Sequence, residues 1–515
     1  MAISNAVGTE RASRVVGYAL EKGNFQENTP NLPMSIAIFG QANTDKQAGL
    51  GADPDPVAVT SAEEAGELFG FGSQIHSVMR ILRSRVGDVI GGIPTVIFPQ
   101  PEATGASEQI DLLTITGGPA SAAGVHIVEI NGRSNYDGAT LEIPVAQGDT
   151  VTDVAAKIRD AINNALSAPV SATAAAGVVT ITTKWKGENA AELDIAVDVQ
   201  GNDLGLAYAV TEDTAAAGDS STQIQNSLDK FGDEWRTIVI NSYGKARIGL
   251  FETFNGIAGQ GAASTGRYAP TIFKPFVALF GDKTADTVAN VITGLTETQT
   301  TGVQCPAPNS KGWNHEAAAN YCVLLARQAQ DSPHLDVTAQ NGALLPDMPV
   351  PKNNDIGVYA TYNNRDAILK GGGSTVTLES GQFRVQDFAT TYHPAGEIPP
   401  QFRYVRSLIQ DWNVRFSYFL LEQINVVDKA IVADNQVVNV SGTIKPSQWR
   451  GIVRTMFLRL QERALIVDTD FSNDSLQVGT NDTFPDRFET FFRYKRSPFA
   501  RIAATTAEAG FAFGI

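Results

Sequence analysis

The chain has 515 residues, of which 43% are hydrophobic and 18% charged, and a formal net charge of -16. That length is too great for one hydrophobic core and predicts about three domains, while the apolar content excludes a wholly disordered chain. The negative charge disfavours direct binding to nucleic acid or to an anionic membrane. No stable membrane insertion is expected either, because the apolar run 416–433 is broken by Glu422, Gln423, Asn425, Asp428 and Lys429.

In chain order, residues 1–14 lack the apolar core of a signal peptide, so assembly in a cytoplasm is expected. Val15, Val16, Tyr18 and Leu20 form a short strand-like segment, and a polar, turn-rich stretch then leads to a buried strand over 35–39. Ser61-Ala-Glu-Glu64 reads as a capping box opening a helix that runs to about Val86. A strand over 93–98 is closed by Pro99 and Pro101. Later come a helix over 223–235, a strand over 237–241, a strand near Val303 and a helix over 314–330. This alternation predicts an α/β core layer.

Between 101 and 221 the composition shifts to Ala, Gly, Thr and Val, with 17 acidic against 5 basic side chains from Glu102 to Asp219, a balance of -12. Strands are expected over 125–130, 141–145 and 178–182. A helix from Thr152 carries Val154, Ile158, Ile162 and Ala165 on one face. The segment reads as an inserted acidic, β-rich domain, placed at an exposed loop of the core. From Phe383 onward the charges nearly balance, 15 basic against 14 acidic, and apolar helices are expected over 414–433 and 447–467.

Side chains that could carry chemistry do not gather. His76, His126, His315, His334 and His393 are scattered. His315-Glu316 opens like a zinc-protease motif, but Ala319 and Asn320 stand where the second histidine belongs. Gly259-Gln-Gly261 and Gly266 resemble a phosphate loop, yet Arg267 and Tyr268 replace its Lys and Ser/Thr. Gly371-Gly-Gly373 is likewise read as a turn. The expectation is a protein that is not an enzyme and holds no cofactor or metal. Cys305, before Pro306, reads as a loop residue open to solvent, and Cys322 as a buried helical thiol. A disulfide between subunits is the one covalent use these two thiols suggest.

The end of the chain, Gly510-Phe-Ala-Phe-Gly-Ile515, puts Phe511, Phe513 and Ile515 on one face of an extended strand that must dock on its own subunit or a neighbour. With Val15, Val16, Tyr18 and Leu20 at the other end, strand exchange between subunits is expected, which when repeated builds rings or helices.

In the C-terminal half, Tyr362-Asn-Asn-Arg365, Ala367-Ile-Leu369, Gly372-Gly-Ser-Thr375, Gly381, Thr390-Thr-Tyr392 and Phe402-Arg-Tyr-Val-Arg406 follow in order. This series resembles the signature region of contractile bacteriophage tail sheath proteins, a family related to the sheaths of pyocins and other contractile injection systems. Gln386 and Asp387, with Arg384 a little earlier, stand where sheaths commonly carry an arginine. The resemblance implies a multidomain fold of mixed α/β class. Its parts are an N-terminal arm (1–34), a discontinuous α/β sheath core (35–100 and 222–382), the insertion (101–221) and a C-terminal domain (383–515). The last includes an arm over 498–515 and is completed by strands from neighbouring subunits. The resemblance further implies a homo-oligomer of stacked six-membered rings around a tail tube protein, meeting baseplate and terminator proteins, in a virion tail whose contraction drives the tube through the cell envelope. Arg450, Arg454, Arg459 and Arg463, on the helix from Ser447, are the candidate tube contacts that it suggests. Another polymerising virion or surface-layer protein is the alternative, followed by an α/β enzyme.

Overall fold

The computed structural model describes residues 30–84, 90–213, 215–339 and 343–509. Five strands lie parallel in one sheet: Ile36–Gln41, Thr95–Gln100, Ile238–Asn241, Val277–Asp282 and Gly302–Pro306. Val57–Ala58 adds antiparallel beside Thr95–Gln100. Counted in chain order, the parallel strands take the spatial order 2-1-3-4-5, a doubly wound arrangement in which the chain moves outward from its first strand in both directions.

Strand geometry explains why the central strand is apolar throughout. Ile36 and Ile38 enter a cluster with Phe69, Val78, Met79 and Cys322, while Ala37 and Phe39 point oppositely to Phe98, Phe231 and Phe251. Helices Ala62–Phe69, Gln74–Leu82 and Asn314–Asp331 cover the first face, and Ser221–Asp229 and Ile248–Asn255 the second.

The helix expected from Ser61 is two helices. Its start is as read: the Ser61 hydroxyl accepts from the Glu64 N–H at 3.1 Å, and Glu64 in turn accepts from the Thr60 N–H at 2.8 Å. It stops at Gly70, and Ser73 caps a new helix. Gly72, between them, has φ +82°, and a Cβ there would lie 2.1 Å from the Ala168 carbonyl oxygen. The positive φ angles of Gly70 and Gly72 break the helix, and the approach of Ala168 leaves room for no side chain at 72.

The helix expected over 414–433 runs instead over Val405–Asn425. Val405, Leu408, Ile409 and Trp412 hold the helical spacing that places its start. At the other end Asp428 turns left-handed, and Ala430–Ile431 pairs with Thr443–Ile444 as a strand. The helix expected over 223–235 ends at Asp229, with Gly232 at φ +71° soon after.

The middle segment leaves the carboxyl end of Thr95–Gln100 and rejoins the core at Ser221. It has a core cluster of its own, from Leu113 to Ala215, to which Trp313 also belongs. One antiparallel sheet has the order Leu206–Glu212, Ile110–Gly117, Val178–Thr183, Val170–Ala175; a second has Ile195–Asp198, Gly124–Ile130, Glu142–Val145. Val154, Ile158 and Ile162 of helix Val151–Asn164 are buried, and Ala165 is half-buried.

Toward the C-terminus, Thr375–Glu379 and Gln382–Asp387 form a hairpin across residue 383, and Phe383, Val385, Phe388 and Trp412 join the main core. A separate cluster around Trp449, Phe457 and Leu460 packs helix Pro446–Glu462 against two-stranded sheets. No helix among the described residues is long and apolar enough to cross a membrane.

Candidate functional site

In an open doubly wound sheet, small ligands bind beyond the carboxyl ends of the strands, where the winding reverses. Here that place lies beyond Gln41 and Asn241, and the middle segment packs against it on the Gln41 side. Lys186 donates its backbone N–H to the Gln41 side chain at 3.3 Å, and Thr44 donates to the Lys184 carbonyl at 2.8 Å. The Lys184 ammonium reaches the Phe71 and Leu166 carbonyls, both at 3.0 Å. Trp185 and Trp313 pack edge to face with ring centres 4.9 Å apart, and His315 lies against both.

Charge completes the seam. Glu192 accepts from the Asn314 N–H at 2.8 Å, at the start of helix Asn314–Asp331, where the helix dipole favours a carboxylate. Arg247 donates its Nε to Glu188 at 2.7 Å, and Lys311 and Lys352 meet Asp194 and Glu129. Arg133 pairs with the buried Glu316 at 2.8 Å, and Ser77 donates to the same carboxylate oxygen. Burial alone pushes the Glu316 carboxyl up; Arg133, His315 and Ser77 outweigh it and hold the group below its ordinary value. Several of the acidic residues read as a solvated surface are therefore spent on the core.

His315 is fully buried, neither ring nitrogen has a hydrogen-bond partner among the described residues, and burial lowers its pKa. His76 is lowered to about 4 by burial, with Arg80 adding to the effect; its Nδ1 accepts from the Gly72 N–H at 3.1 Å. No group of three His, Cys, Asp or Glu side chains that could hold a metal ion occurs among the described residues.

Cys305 corrects one expectation. It lies within strand Gly302–Pro306, fully buried, as is Cys322, and both thiols are free. Burial raises both pKa values, Cys305 further through its neighbour Cys322. Buried thiols of this kind are inert.

The glycine motifs also resolve into packing. A Cβ at Gly372 would meet the Thr391 carbonyl oxygen at 2.5 Å, and one at Gly259 the Phe402 ring at 2.9 Å. Thr390 donates its hydroxyl to the Phe402 carbonyl at 2.7 Å, while the Thr391 N–H donates to Gly302 at 2.9 Å. The paired threonines thus tie the sheet edge to the chain that enters helix Val405–Asn425. Asp387, near the position where sheaths commonly carry an arginine, accepts from the Thr375 hydroxyl at 2.7 Å and lies 4.0 Å from Arg501.

Of the expected contact residues, Val15, Val16, Tyr18, Leu20, Phe511, Phe513 and Ile515 lie outside the described residues. Arg454 is exposed on helix Pro446–Glu462, and Leu458, one turn on, is 52% exposed beside it. Arg450 and Arg459 are half-buried, with Arg450 3.4 Å from the Val478 carbonyl, and Arg463 contacts the Asn31 side chain. Arg454 is thus the most exposed of the four. Sequence reasoning missed the hairpin Gln477–Thr480/Phe488–Phe491, which exposes Phe484 and Phe491. Its signal was available in Gln477-Val-Gly-Thr480 and Phe488-Glu-Thr-Phe491, two short β-prone runs around a turn of Asn481, Asp482, Pro485 and Asp486.

No protein-family model matches the chain. Over 214 residues it is 27% identical to the Mu-like prophage FluMu tail sheath protein of Haemophilus influenzae, a match covering 41% of each protein. The chain thus spans about two fifths of the length of the curated relative it matches. Solved structures similar to it include a sheath tail protein from Desulfitobacterium hafniense, at 11% identity and TM-score 0.43 over 93% of this chain and 99% of that one. Another is a sheath tail protein from Listeria innocua, at 9% identity and TM-score 0.43 over 92% and 97%. At those scores the structural likeness carries no argument, whereas the sequence match agrees with the motif series from Tyr362 to Arg406: the chain is similar to phage tail sheath proteins.

Proposed function

We propose that the chain is the structural subunit of a contractile phage tail sheath, polymerising around a tail tube and contracting to drive that tube through a cell envelope. The observation that carries this reading is the sequence match to a phage tail sheath protein, with which the ordered motifs of the C-terminal half agree. The packing of the middle segment on the strand ends, through Lys184 and Lys186, fits a structural role.

In this reading residues 101–221 are an inserted domain fixed to the core, and the subunit is finished by its neighbours. Hairpin Gln477–Thr480/Phe488–Phe491 is two-stranded among the described residues, and such a pair is marginal alone. It is the acceptor for exchanged strands, with Val15, Val16, Tyr18 and Leu20 and Phe511, Phe513 and Ile515 as donors. Repetition of that contact gives stacked rings, taken as six-membered from the resemblance. Arg454 and Leu458 face the tube protein; Arg450, Arg459 and Arg463 serve the subunit itself. Baseplate and terminator proteins close the two ends of the virion tail, which assembles in the host cytoplasm.

Negative-stain electron microscopy of the full chain beside a version lacking residues 510–515 tests this directly. Hollow striated tubes from the full chain and dispersed subunits from the truncation are expected. Two-dimensional layers or closed shells from the full chain would move the reading to a surface-layer or capsid protein.

A further inference from the structure

Helix Val405–Asn425 carries a stripe that its apolar character does not explain. Arg406, Gln410 and Asn413 follow one another at i, i+4 and i+7, so they share one face over about 10 Å. All three are buried, at 9%, 0% and 1% exposure. Buried polar groups are costly unless bonded, so their partners matter.

Those partners are the two roots of the chain. Near the N-terminal side, the Leu32 N–H donates to Asn413 Oδ1 at 2.9 Å, and Leu32 is itself buried. Asn31 and Met34 are held by Gln330, through its carbonyl oxygen at 2.7 Å and its side chain at 3.3 Å. Near the C-terminal side, Arg406 and Gln410 both donate to the Ser497 carbonyl, at 2.9 and 3.2 Å. Asp411, one position along, accepts from Arg496 Nε at 2.7 Å and Nη2 at 2.6 Å, and from the Tyr494 hydroxyl at 2.8 Å. Arg501 closes the strap by pairing with the buried Asp336 and stacking on Tyr404, 3.5 Å from the ring centre. Residues 502–509 beyond it are all exposed.

A second element touches the same two roots. The turn after helix Pro446–Glu462 gives Arg463 to Asn31 and the Leu465 carbonyl to the Ser497 N–H at 3.1 Å. Gln410 donates to that same Leu465 carbonyl at 3.2 Å.

We propose that residues 406–413 are a joint that fastens the N-terminal and C-terminal arms to the subunit and couples one to the other. Asp411 and Asn413 are its positioning residues, Asp411 for the C-terminal root and Asn413 for the N-terminal root. Tension on either arm reaches the other through two turns of one helix, so a lattice joined by such arms transmits a subunit's movement without crossing the α/β core. The inference rests on the reading of both ends as arms that engage neighbouring subunits.

The test is site-resolved amide hydrogen exchange on the full chain held below the concentration at which tubes form, with the Leu32 and Ser497 amides as reporters. Asp411→Asn keeps the shape of the side chain and removes the charge that holds Arg496; Arg496→Gln removes it from the other side, should the first variant fold poorly. Exchange at Ser497 is expected to rise about tenfold or more in either variant. Exchange at Leu32 rises with it, while the amides of Ile36–Gln41 stay unchanged. Asn413→Ala should give the reverse pattern, with Ser497 following Leu32. A rise confined to the root that carries the substitution would overturn the coupling, as would a rise across Ile36–Gln41, which marks general loosening. Because these readouts use unassembled subunits, failure of the joint is separate from failure of the sheath reading, which the tube-forming experiment decides.

Discussion

The seam of the middle segment and the surface of the C-terminal region are built on opposite plans. At the seam, Trp185 and Trp313 are both buried, and Glu192, Glu188 and Glu316 each meet a cation or a helix N-terminus. Around helix Pro446–Glu462, by contrast, Leu458, Phe484 and Phe491 are half or more exposed, and sheets stop at two strands among the described residues. The first contact is complete within one chain. The second leaves apolar side chains in water that a partner would cover at roughly 1.5–3 kcal/mol each. That contrast separates the rigid interior from the surface on which the proposed assembly would take place.

Breaking the seam should therefore cost stability without touching assembly chemistry. The largest effect is expected from Trp185→Ala, which empties a fully enclosed site and should destabilise the fold by about 3–5 kcal/mol in denaturant unfolding. Arg133→Leu follows, at about 3 kcal/mol, because it strands the Glu316 carboxylate in the interior.

Acid should act on the same seam through His76. Its folded pKa, about 4, lies below the ordinary 6.5, so between those values the unfolded chain takes up a proton that the folded chain refuses. Stability then falls as pH drops through that window, by up to about 3 kcal/mol, and unfolding of His76→Gln should be flatter over the same range. Glu316 adds a second loss at lower pH: its folded value is depressed, so its contribution is present above the unfolded value of about 4.5 and disappears as pH falls through the folded one.

The smallest effects on the subunit are expected where the comparison predicts the largest effects on assembly. Phe491→Ser and Arg454→Glu should change the unfolding free energy by no more than about 0.5 kcal/mol. Microscopy should nonetheless find tubes missing with the first, and extended sheath around the tube missing with the second. Normal tails from Arg454→Glu would remove that residue from the tube contact.

Much of the core was legible in the sequence because its signals are local. The uninterrupted apolar run at Ile36-Ala-Ile-Phe39, the strand at Val303 and the helix Asn314–Asp331 each follow from a few neighbouring residues. The split at Gly70–Ser73 had a local signal that was passed over, two glycines at positive φ followed by the N-cap Ser73; only the need for glycine at 72, beside the Ala168 carbonyl, is non-local. The acidic middle segment looked like a solvated surface for a non-local reason: Lys283, Lys311, Lys352 and Arg247, which neutralise it, lie in the core. Cys305 misled through Pro306, which reads as a loop signal yet ends an edge strand, where its missing N–H is tolerated. The polar stripe Arg406, Gln410 and Asn413 had a readable spacing, but its meaning depends on Leu32 and Ser497.

Hydrogen exchange compared between free subunits and assembled tails tests the central contrast most directly. Assembly should bring new protection to residues 477–491 and to the exposed face around Arg454 and Leu458, and leave Trp185 and the start of helix Asn314–Asp331 unchanged. New protection at the seam, with 477–491 exchanging as freely in tails as in subunits, would contradict the account.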